Sequence, residues 1–417
     1  MTLQMSIIKV EFKIPELVKA IEKFKTNSRE AFEVLATDIK TSVTDIFNQL
    51  LTAEMDLFLG ESEQSKNKRN GFAEREFAVK GVGCLRVRVP QDRNRKFKSV
   101  IVPKNEQIDS RLKEDLAVLH LAGISNRTLA MISKRILGVQ VSPQTVHNSL
   151  ALVEEKALKF LDREITKKYW CLYVDGTNFK IQRRGSTEKE PTLAVLGIDE
   201  RNCMSILALE PGYKDQAACW QSVFKSLISR GLDPKQVSIG VMDGLPGLEK
   251  VFKETFPQAM TARCWVHAKR NAMAKCAKRL SEPFEKLLND VMYANSESQA
   301  RLQFKILKEK MHMDCERAVH CIEKDFESLL THYKFEKRFW RALKTTNPIE
   351  RVNKELKRRT KSMEGLSEKT LSILLAFTAM RLEYNWQIQS VDSKQLNNLE
   401  HIAKRNEIND VLDNLIH

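Results

Sequence analysis

The sequence predicts an α/β domain that is interrupted by an all-helical insertion and preceded by helical and helix-turn-helix-like regions. Apolar segments of strand length alternate with a helical segment between residues 169 and 242. A stretch with helical spacing follows at roughly 268–340, and most of the chain before residue 165 also has helical periodicity. These patterns divide the chain into six regions, 1–66, 67–105, 106–165, 166–267, 268–340 and 341–417.

The bulk composition limits the class of protein. With 417 residues, the chain is expected to contain roughly two to four domains. Its formal net charge of +15 favours a polyanionic partner, with nucleic acid as the leading candidate and an acidic membrane surface as the second. The eight cysteines are scattered through apolar or helical contexts, so we expect reduced thiols and not a disulfide framework.

Neither a membrane anchor nor a secretory signal is predicted. The sequence has no run of about 18 apolar residues. Its first six residues lack the charged-then-apolar order of a signal peptide. We therefore expect a cytoplasmic protein.

The first region is predicted to be helical. Residues 14–59 carry apolar side chains at helical spacing, which is typical of helices that pack in a core or in an oligomer. The composition becomes polar at residues 61–71 and indicates a linker or an exposed loop.

A basic β-ribbon is predicted next. Residues 77–79 and 85–90 alternate in β fashion about a glycine turn at 81–83. Arg86 and Arg88 lie on the face opposite the apolar residues, where they can follow a phosphate backbone or form an ordinary solvated face. More basic residues follow this strand, namely Arg93, Arg95, Lys96 and Lys98.

A compact two-helix unit is predicted within residues 106–165. One helix covers 124–132, a break follows at 137–139, and Ser142 with Pro143 gives a strong signal for the start of a second helix. Side chains of the kind that contact base edges follow on this second helix, namely Gln144, Thr145, His147 and Asn148. A helical hairpin that contacts no DNA has the same pattern and remains the alternative.

Two aspartates follow apolar strands in the α/β region. The strand at 169–174 is predicted to end on Asp175, and a later strand at 237–242 is predicted to end on Asp243. Two more strands, 192–198 and 204–209, and a helix at 215–230 lie between them. This is the ribonuclease-H-like order, and it predicts that Asp175 and Asp243 lie side by side at one edge of the sheet.

A third acid, Glu350, lies inside a strongly basic helix. Glu350, Asn353 and Lys357 are spaced i, i+3 and i+7, so they share one helical face. Glu350 lies further along the chain than the remaining strand of this fold requires, which predicts the helical insertion at 268–340. Three aromatic residues at its end should pack it against the sheet, with stacking on DNA as the alternative, namely Phe335, Phe339 and Trp340.

These three carboxylates predict a site for divalent metal ions. In one cleft they would repel each other unless cations neutralise them, and hard oxygen ligands suit Mg²⁺ or Mn²⁺. Two ions about 4 Å apart can activate a nucleophile on one side of a phosphorus and stabilise the leaving oxygen on the other. Asp175 would bridge both ions, while Asp243 and Glu350 would each hold one. Basic residues of the same helix would hold the DNA backbone, namely Lys357, Arg358 and Arg359.

Cys264 and His267 form a C-x-x-H motif after the predicted fifth strand. This spacing is half of a zinc site, and His312 with Cys315 can in principle supply the other half. Structural zinc sites usually have tighter paired spacing. We therefore interpret Cys264 and His267 as packing or hydrogen-bonding residues that orient the insertion, and we do not expect zinc.

The chain resembles bacterial insertion-sequence transposases of the Mutator type, which carry a DDE catalytic triad. The resemblance rests on four ordered motifs, 174–177, 242–248, 263–271 and 345–359. The stretches at 85–98 and 138–145 also resemble the N-terminal region of the family, so the similarity extends over nearly the whole chain.

The resemblance implies metal-dependent cleavage of DNA at element ends by water, followed by joining of a freed 3′-hydroxyl to target DNA. It implies that Asp175, Asp243 and Glu350 are the triad, that Lys357 contacts DNA near the site, and that Cys264 and His267 match a family motif. The expected partners are double-stranded DNA, as terminal inverted repeats and as target, and further copies of the chain in a homodimer or higher synaptic oligomer. The protein would then be associated with the nucleoid.

One position departs from the family pattern, and two other functions remain open. Pro348 stands where a small residue such as Ala is expected, but a proline is tolerated in the first turn of a helix. The alternatives are a ribonuclease-H-like nuclease that cuts without joining, and a domesticated DNA-binding regulator that keeps the catalytic fold as a relic.

Overall fold

The structure, a computed structural model, describes residues 21–61, 67–183, 186–212, 216–361, 363 and 366–389. Parts of three sequence predictions lie outside these residues: the beginning of the first helical region, residues 62–66 of the linker predicted at 61–71, and the chain after residue 389, where further helices were expected. The last three residues of that predicted linker belong to a strand. The described residues form two compact units. The first contains the chain up to Leu116 together with Asn126–Val146, and the second contains Ala117–Ser125 and the chain from His147 onward.

A β-hairpin packed on a long helix forms the core of the first unit. Its elements are α1 (Ser28–Glu61), β1 (Arg69–Val79), β2 (Gly83–Asp92), most of α2 (Ser110–Leu121), α3 (Asn126–Leu137) and the beginning of α4 (Pro143–Leu161). Apolar residues from α1, from both strands and from the loop that follows are buried together, namely Leu51, Phe77, Leu85, Val87 and Val102.

The hairpin has the two faces that the sequence predicts, but its outer face is not purely basic. Arg86 and Arg88 are exposed, and the apolar residues that alternate with them are buried or half-buried. Across the antiparallel pair, Glu76 lies opposite Arg86 and Glu74 lies opposite Arg88. Both acids lie in the part of β1 before Phe77, which the sequence pattern did not predict to be a strand. Cross-strand pairs of opposite charge stabilise the hairpin, which weakens the case for a phosphate contact at these two arginines.

The break between α3 and α4 forms as predicted. Gly138 follows α3 with a φ of 77°, a conformation that glycine adopts easily at a helix C-terminus. Ser142 caps α4, because its Oγ accepts a hydrogen bond from the backbone N of Thr145 at 3.1 Å. Of the four polar residues predicted to contact bases, Thr145 is partly buried and three are exposed, namely Gln144, His147 and Asn148.

The second unit is built on a mixed five-stranded sheet with helices, so the chain has a mixed α/β fold. The strands are β3 (Tyr169–Arg183), β4 (Ser186–Asp199), β5 (Met204–Pro211), β6 (Ile239–Met242) and β7 (Met260–Arg263). Their order in the sheet is β5-β4-β3-β6-β7. The strands β3, β4 and β5 are antiparallel, whereas β6 pairs parallel with both β3 and β7.

Alternation along β3 separates two apolar layers. Cys171 and Tyr173 belong to one buried layer, and Leu172 and Val174 belong to the other. The second layer contains α5 (Gln216–Ser229) and α6 (Pro246–Thr255). By the same alternation, Asp175 lies on the Tyr173 side of the sheet.

The chain between β7 and residue 340 is helical throughout. Its helices are α7 (Trp265–Met273), α8 (Ser281–Met292), α9 (Glu297–Glu323) and α10 (Phe326–Leu330), with short 3₁₀ turns between some of them. They enclose a core of their own. At the end of this segment, the ring of Phe339 lies 5.0 Å from that of Trp170 on β3, and Phe335 also packs there, as the sequence predicts. Trp340 packs instead on Tyr333, within the helical segment.

Two long helices complete the second unit. After the short helix α11 (Trp340–Leu343) come α12 (Asn347–Thr360) and α13 (Glu368–Gln389), which pack on the Tyr173 side of the sheet. Within the described segments, no helix has the length and apolarity needed to cross a bilayer.

One sequence prediction about the sheet is wrong. The strand β3 does not end on Asp175 but continues to Arg183, paired with β4 along its whole length. Asp175 is therefore in the middle of a strand. It still lies at the edge of the three parallel strands, because the pairing between β3 and β6 stops at Val174 and Met242.

Candidate active site

Adjacent strands bring Asp175 and Asp243 together. Val174 is opposite Met242 in the parallel pairing of β3 and β6, and each aspartate is the next residue of its chain. Neighbouring strands are about 4.8 Å apart, so the two carboxylates leave the sheet beside each other. Gly244 follows Asp243 with a φ of 80°, and its carbonyl accepts a hydrogen bond from Arg263 at 2.7 Å.

Helix α12 brings Glu350 to the same cleft. Pro348 lies in the first turn of the helix, as expected for a residue without a backbone donor, and Glu350 occupies the same turn. An acid is favourable there because the N-terminal end of a helix carries partial positive charge. Ile349, Val352 and Leu356 are buried against the sheet, and they fix the rotation of α12.

The three carboxylates line one cleft of about 600 Å³. Its polar lining comes from β3, from the segment after β6, and from helices α7 and α12. Besides Gly176, the lining residues are Asp175, Thr177, Asp243, His267, Arg270, Asn347, Glu350, Arg351, Asn353, Lys354 and Lys357. The cleft therefore contains the predicted triad, the predicted Lys357, and His267 of the C-x-x-H motif.

Asp175 is a buried acid whose pKa is raised by its surroundings. Only 6% of its surface is exposed. Burial raises the pKa of Asp175 to about 6, and repulsion from Asp243 acts in the same direction, while His267 opposes them. The protein alone therefore does little to stabilise the negative charge of the ionised carboxylate. A cation bound beside Asp175 would stabilise this charge.

Asn353 supports Asp175 and does not face the outside. Its side-chain Nδ2 donates a hydrogen bond to Asp175 Oδ2 at 3.1 Å, and the residue is buried. The backbone N of Gly176 donates to the other oxygen at 2.9 Å. Asn353 therefore positions the central carboxylate, and its predicted contact with DNA stays a prediction.

His267 lies next to Glu350. Its Nε2 is 3.6 Å from Glu350 Oε1. Interaction with the Cys264 sulfur raises the pKa of His267 above its usual value despite burial, and the charges of Asp175 and Asp243 add to this effect. The protonated form of this imidazole would partly offset the mutual repulsion of the three acids.

The arrangement supplies oxygen ligands but not a closed metal site. Among the described residues, no three His, Cys, Asp or Glu side chains lie close enough together to hold one ion. Asp175 and Glu350 instead contact Asn353 and His267. The donor chemistry suits a hard cation such as Mg²⁺, which keeps several of its waters and is usually held by only one or two carboxylates.

Cys264 joins two distant parts of the site. It is buried, and its sulfur accepts hydrogen bonds from the backbone N and from Oγ1 of Thr346, both at 3.3 Å. Burial acts to raise the pKa of Cys264, but contacts with His267 and Thr346 outweigh it and lower the pKa. Because Thr346 immediately precedes α12, the sulfur helps to fix where the Glu350 helix begins. The other half of the possible zinc site is arranged differently, since Cys315 Sγ lies 3.3 Å from Cys276 Sγ.

Replacing Cys264 with Ala should therefore destabilise the protein and loosen the start of α12. The change removes the acceptor for two buried donors, a loss of about 1–3 kcal/mol in the free energy of unfolding. Urea denaturation of the purified protein measures this difference.

Two further variants identify the cause. Cys264→Ser restores an acceptor and should recover part of the lost stability, whereas Thr346→Val removes only the hydroxyl donor and should cost less than Cys264→Ala. Equal stability of Cys264→Ala and the unchanged protein would show that the sulfur contacts contribute nothing.

Of the basic residues predicted on α12, only Lys357 lines the cleft. Arg359 is buried, and its guanidinium donates to Glu355 and to the carbonyl of Leu121. These internal contacts give Arg359 a structural role, and its predicted contact with DNA stays a prediction. Arg358 is exposed but paired with Glu355 at 2.8 Å. Arg93 and Arg95 are exposed in the first unit.

The comparisons with known proteins agree with one another. The family described as "Transposase, Mutator family" matches residues 16–389. The transposase for insertion sequence element IS905 of Lactococcus lactis is 30% identical over 328 residues, which are 77% of this chain and 83% of that protein. The transposase for IS1201 of Lactobacillus helveticus is 26% identical over 88% of this chain and 99% of its own length. The transposase for IS256 in transposon Tn4001 of Staphylococcus aureus is 23% identical over 87% and 96%, respectively. The chain therefore belongs to the Mutator family of transposases.

Proposed function

We propose that this chain cuts DNA at the ends of an insertion sequence by metal-dependent hydrolysis and then joins the freed 3′-hydroxyl ends to target DNA. Asp175, Asp243 and Glu350 are the catalytic carboxylates in this proposal. The observation that carries it is the buried carboxyl of Asp175, whose pKa is raised to about 6 in a cleft shared with two more acids and several basic residues.

The sheet supports a ribonuclease-H-like catalytic domain. Three antiparallel strands are followed, across β3, by two parallel ones, and the acids come from the first and fourth strands of this domain in chain order. The helical segment between β7 and α12 corresponds in this proposal to an insertion ahead of the third acid. A fold alone does not define an activity, so the proposal depends on the cleft.

The three acids are the residues that would hold Mg²⁺ or Mn²⁺, as a pair of ions. When bound, the metal neutralises the carboxylates and activates the water or hydroxyl that attacks the phosphorus. The protein's own contribution is to hold the ligands: Asn353 fixes Asp175, and His267 contacts Glu350. Lys357, on the Glu350 helix, is placed to bind a DNA phosphate.

Binding of the element ends is assigned to the N-terminal half of the chain. Gln144, His147 and Asn148 are exposed on α4, where they can reach base edges. An oligomer that brings two ends together is also part of the proposal. It is supported by apolar residues exposed at helical spacing on α1, namely Phe32, Leu35 and Ile39.

A cleavage and joining assay tests this function. Purified protein is incubated with duplex DNA from the regions that flank its gene, where terminal inverted repeats are expected, and with a labelled target plasmid. We expect new 3′-hydroxyl ends at the repeat boundary and joined products with Mg²⁺ or Mn²⁺, and neither product with EDTA.

The two alternative functions give different outcomes in the same assay. Cleavage without joined products would favour a nuclease. Tight binding to the repeats without either product, in every metal tested, would favour a DNA-binding regulator and contradict the proposal.

A further inference from the structure

The basic residues near the carboxylates fall into two groups. Some form ion pairs with acids of the protein: Arg263 with Asp325, Lys269 with Glu285, and both Arg358 and Arg359 with Glu355. The others line the cleft, and none of them forms an ion pair with any residue that the structure describes, namely Arg270, Arg351, Lys354 and Lys357.

The four residues that line the cleft are not unpaired because acidic side chains are missing from their neighbourhood. Arg351 and Lys354 share α12 with Glu350 and Glu355, yet Glu355 pairs with the two arginines that do not line the cleft. All four unpaired residues are exposed, so their charges remain available to a ligand. Like charges three and four residues apart on a helix repel each other and destabilise it slightly. Arg351, Lys354 and Lys357 therefore do not stabilise α12, but their charges are well placed to bind an anionic ligand.

The geometry also suits a chain of phosphates. Arg351, Lys354 and Lys357 follow one another along the helix at intervals of three residues, which span about 9 Å in total at about 1.5 Å per residue. One DNA strand carries a phosphate for every 3.4 Å or so along the duplex axis, and neighbouring phosphates are further apart than this because the backbone winds around the axis. A row of this length can therefore contact more than one phosphate of a strand. Arg270 adds a charge from a second helix, α7.

We propose that Arg270, Arg351 and Lys354, together with Lys357, form a track that binds successive phosphates of the DNA strand to be cut and holds that strand against the three carboxylates. The inference rests on the proposed function, since it takes DNA as the substrate of this cleft. Three acids would otherwise repel the DNA backbone, and the basic track offsets this repulsion. Because phosphates are the same in every sequence, the track contributes affinity and not sequence preference.

The salt dependence of DNA binding tests the track. We measure the dissociation constant of the full-length chain for a terminal-repeat duplex over a series of KCl concentrations, in an Asp175→Asn background with Mg²⁺ so that the DNA stays intact. Arg270→Gln and Lys354→Gln are added singly and together. Each lost phosphate contact should reduce the slope of log K against log salt by about 0.9, so the double variant should lose nearly twice that. A duplex of unrelated sequence should lose affinity by the same factor.

Arg358→Gln is the matched control. Like Lys354→Gln, it removes one positive charge from an exposed residue of α12. The guanidinium of Arg358, however, forms an ion pair with Glu355 and does not line the cleft. Its slope should change clearly less than that of Lys354→Gln. If Arg270→Gln and Lys354→Gln change the slope no more than Arg358→Gln does, the track does not exist.

Failure of the proposed function gives a separate result. If the unaltered chain neither cuts nor joins DNA in the assay above while the slopes change as expected, the track is correct and the catalytic proposal is wrong. If the slopes do not change while the unaltered chain cleaves and joins DNA, the catalytic proposal is correct and the track is wrong.

Discussion

Asp175→Asn should abolish DNA cleavage and joining while making the metal-free protein more stable. In the proposed mechanism this variant loses one of the carboxylates that would hold the metal. Metal stabilisation of a transition state provides several kcal/mol, so activity should fall about a thousandfold or more. Binding to the terminal repeats should persist, because it is assigned to other residues. The assay described above measures the first effect, and thermal unfolding measures the second.

The gain in stability follows from the raised pKa. The unfolded chain has the ordinary pKa of 3.8, whereas the folded protein holds Asp175 at about 6. Folding therefore favours the protonated carboxyl, and stability is lost as the pH rises through this window. About two pH units at 1.36 kcal/mol each give a penalty of up to about 3 kcal/mol at neutral pH, which asparagine avoids. At about pH 5 the gain should be only about half as large.

Metal provides a second check on this prediction. Ligand binding stabilises the folded state, so saturating Mg²⁺ or Mn²⁺ should raise the unfolding temperature of the unaltered chain more than that of the variant. Asp38→Asn is the charge-matched control on an exposed part of α1, and it should change neither activity nor stability appreciably. A variant that keeps cleaving, or that is less stable than the original at neutral pH without metal, would contradict the assigned role of Asp175.

The strands of the second unit could be predicted from the sequence because buried strands consist of continuous apolar runs. The far half of β3 was missed because the exposed polar residues Asn178 and Lys180 interrupt the apolar run there, although this half pairs with β4. The position of Asp175 next to Asp243 survived this error. It depends on the register between β3 and β6, which the apolar runs fix.

Burial on α12 could not be predicted from spacing alone. Asn353 and Lys357 share a helical face with Glu350, but the sequence does not show that Asn353 meets β3 while Lys357 remains exposed. Arg359 is buried, and its guanidinium donates to the carbonyl of Leu121 in a distant part of the chain. The basic pattern therefore did not show which of these side chains have partners inside the protein.

The C-x-x-H motif shows both the use and the limit of local sequence patterns. Its spacing marked Cys264 as unusual, and the interpretation as an orienting residue agrees with the observed hydrogen bonds. The partner, Thr346, lies far along the chain beyond the whole helical segment. Only the fold shows that this residue pair connects the end of β7 with the start of the Glu350 helix.

Trp265→Ala should have the largest effect on stability of any single change discussed, and it should also reduce activity. The side chain is completely buried in the core of the helical segment, and its Nε1 donates to the carbonyl of Leu329 at 2.9 Å. Truncation leaves a cavity and an unpaired carbonyl, which should lower the free energy of unfolding by about 3–5 kcal/mol. Urea denaturation measures this loss, and cleavage is compared at a temperature where the variant remains folded.

The effect on activity has a separate cause, because the backbone N of Trp265 donates to the carbonyl of Lys344 at 2.9 Å, just before α12. A loosened Trp265 should allow this link, and with it Glu350, to shift.

Phe304→Ala is the matched control, since Phe304 is buried in the same core and stacks on Phe326 without contacting this link. We expect it to cost a similar amount of stability but to leave more activity. Trp265→Phe keeps one aromatic ring but loses the donor and part of the buried volume, so it should be intermediate in stability. If Trp265→Ala and Phe304→Ala lose equal stability and equal activity, packing of the helical segment does not control Glu350 through Trp265.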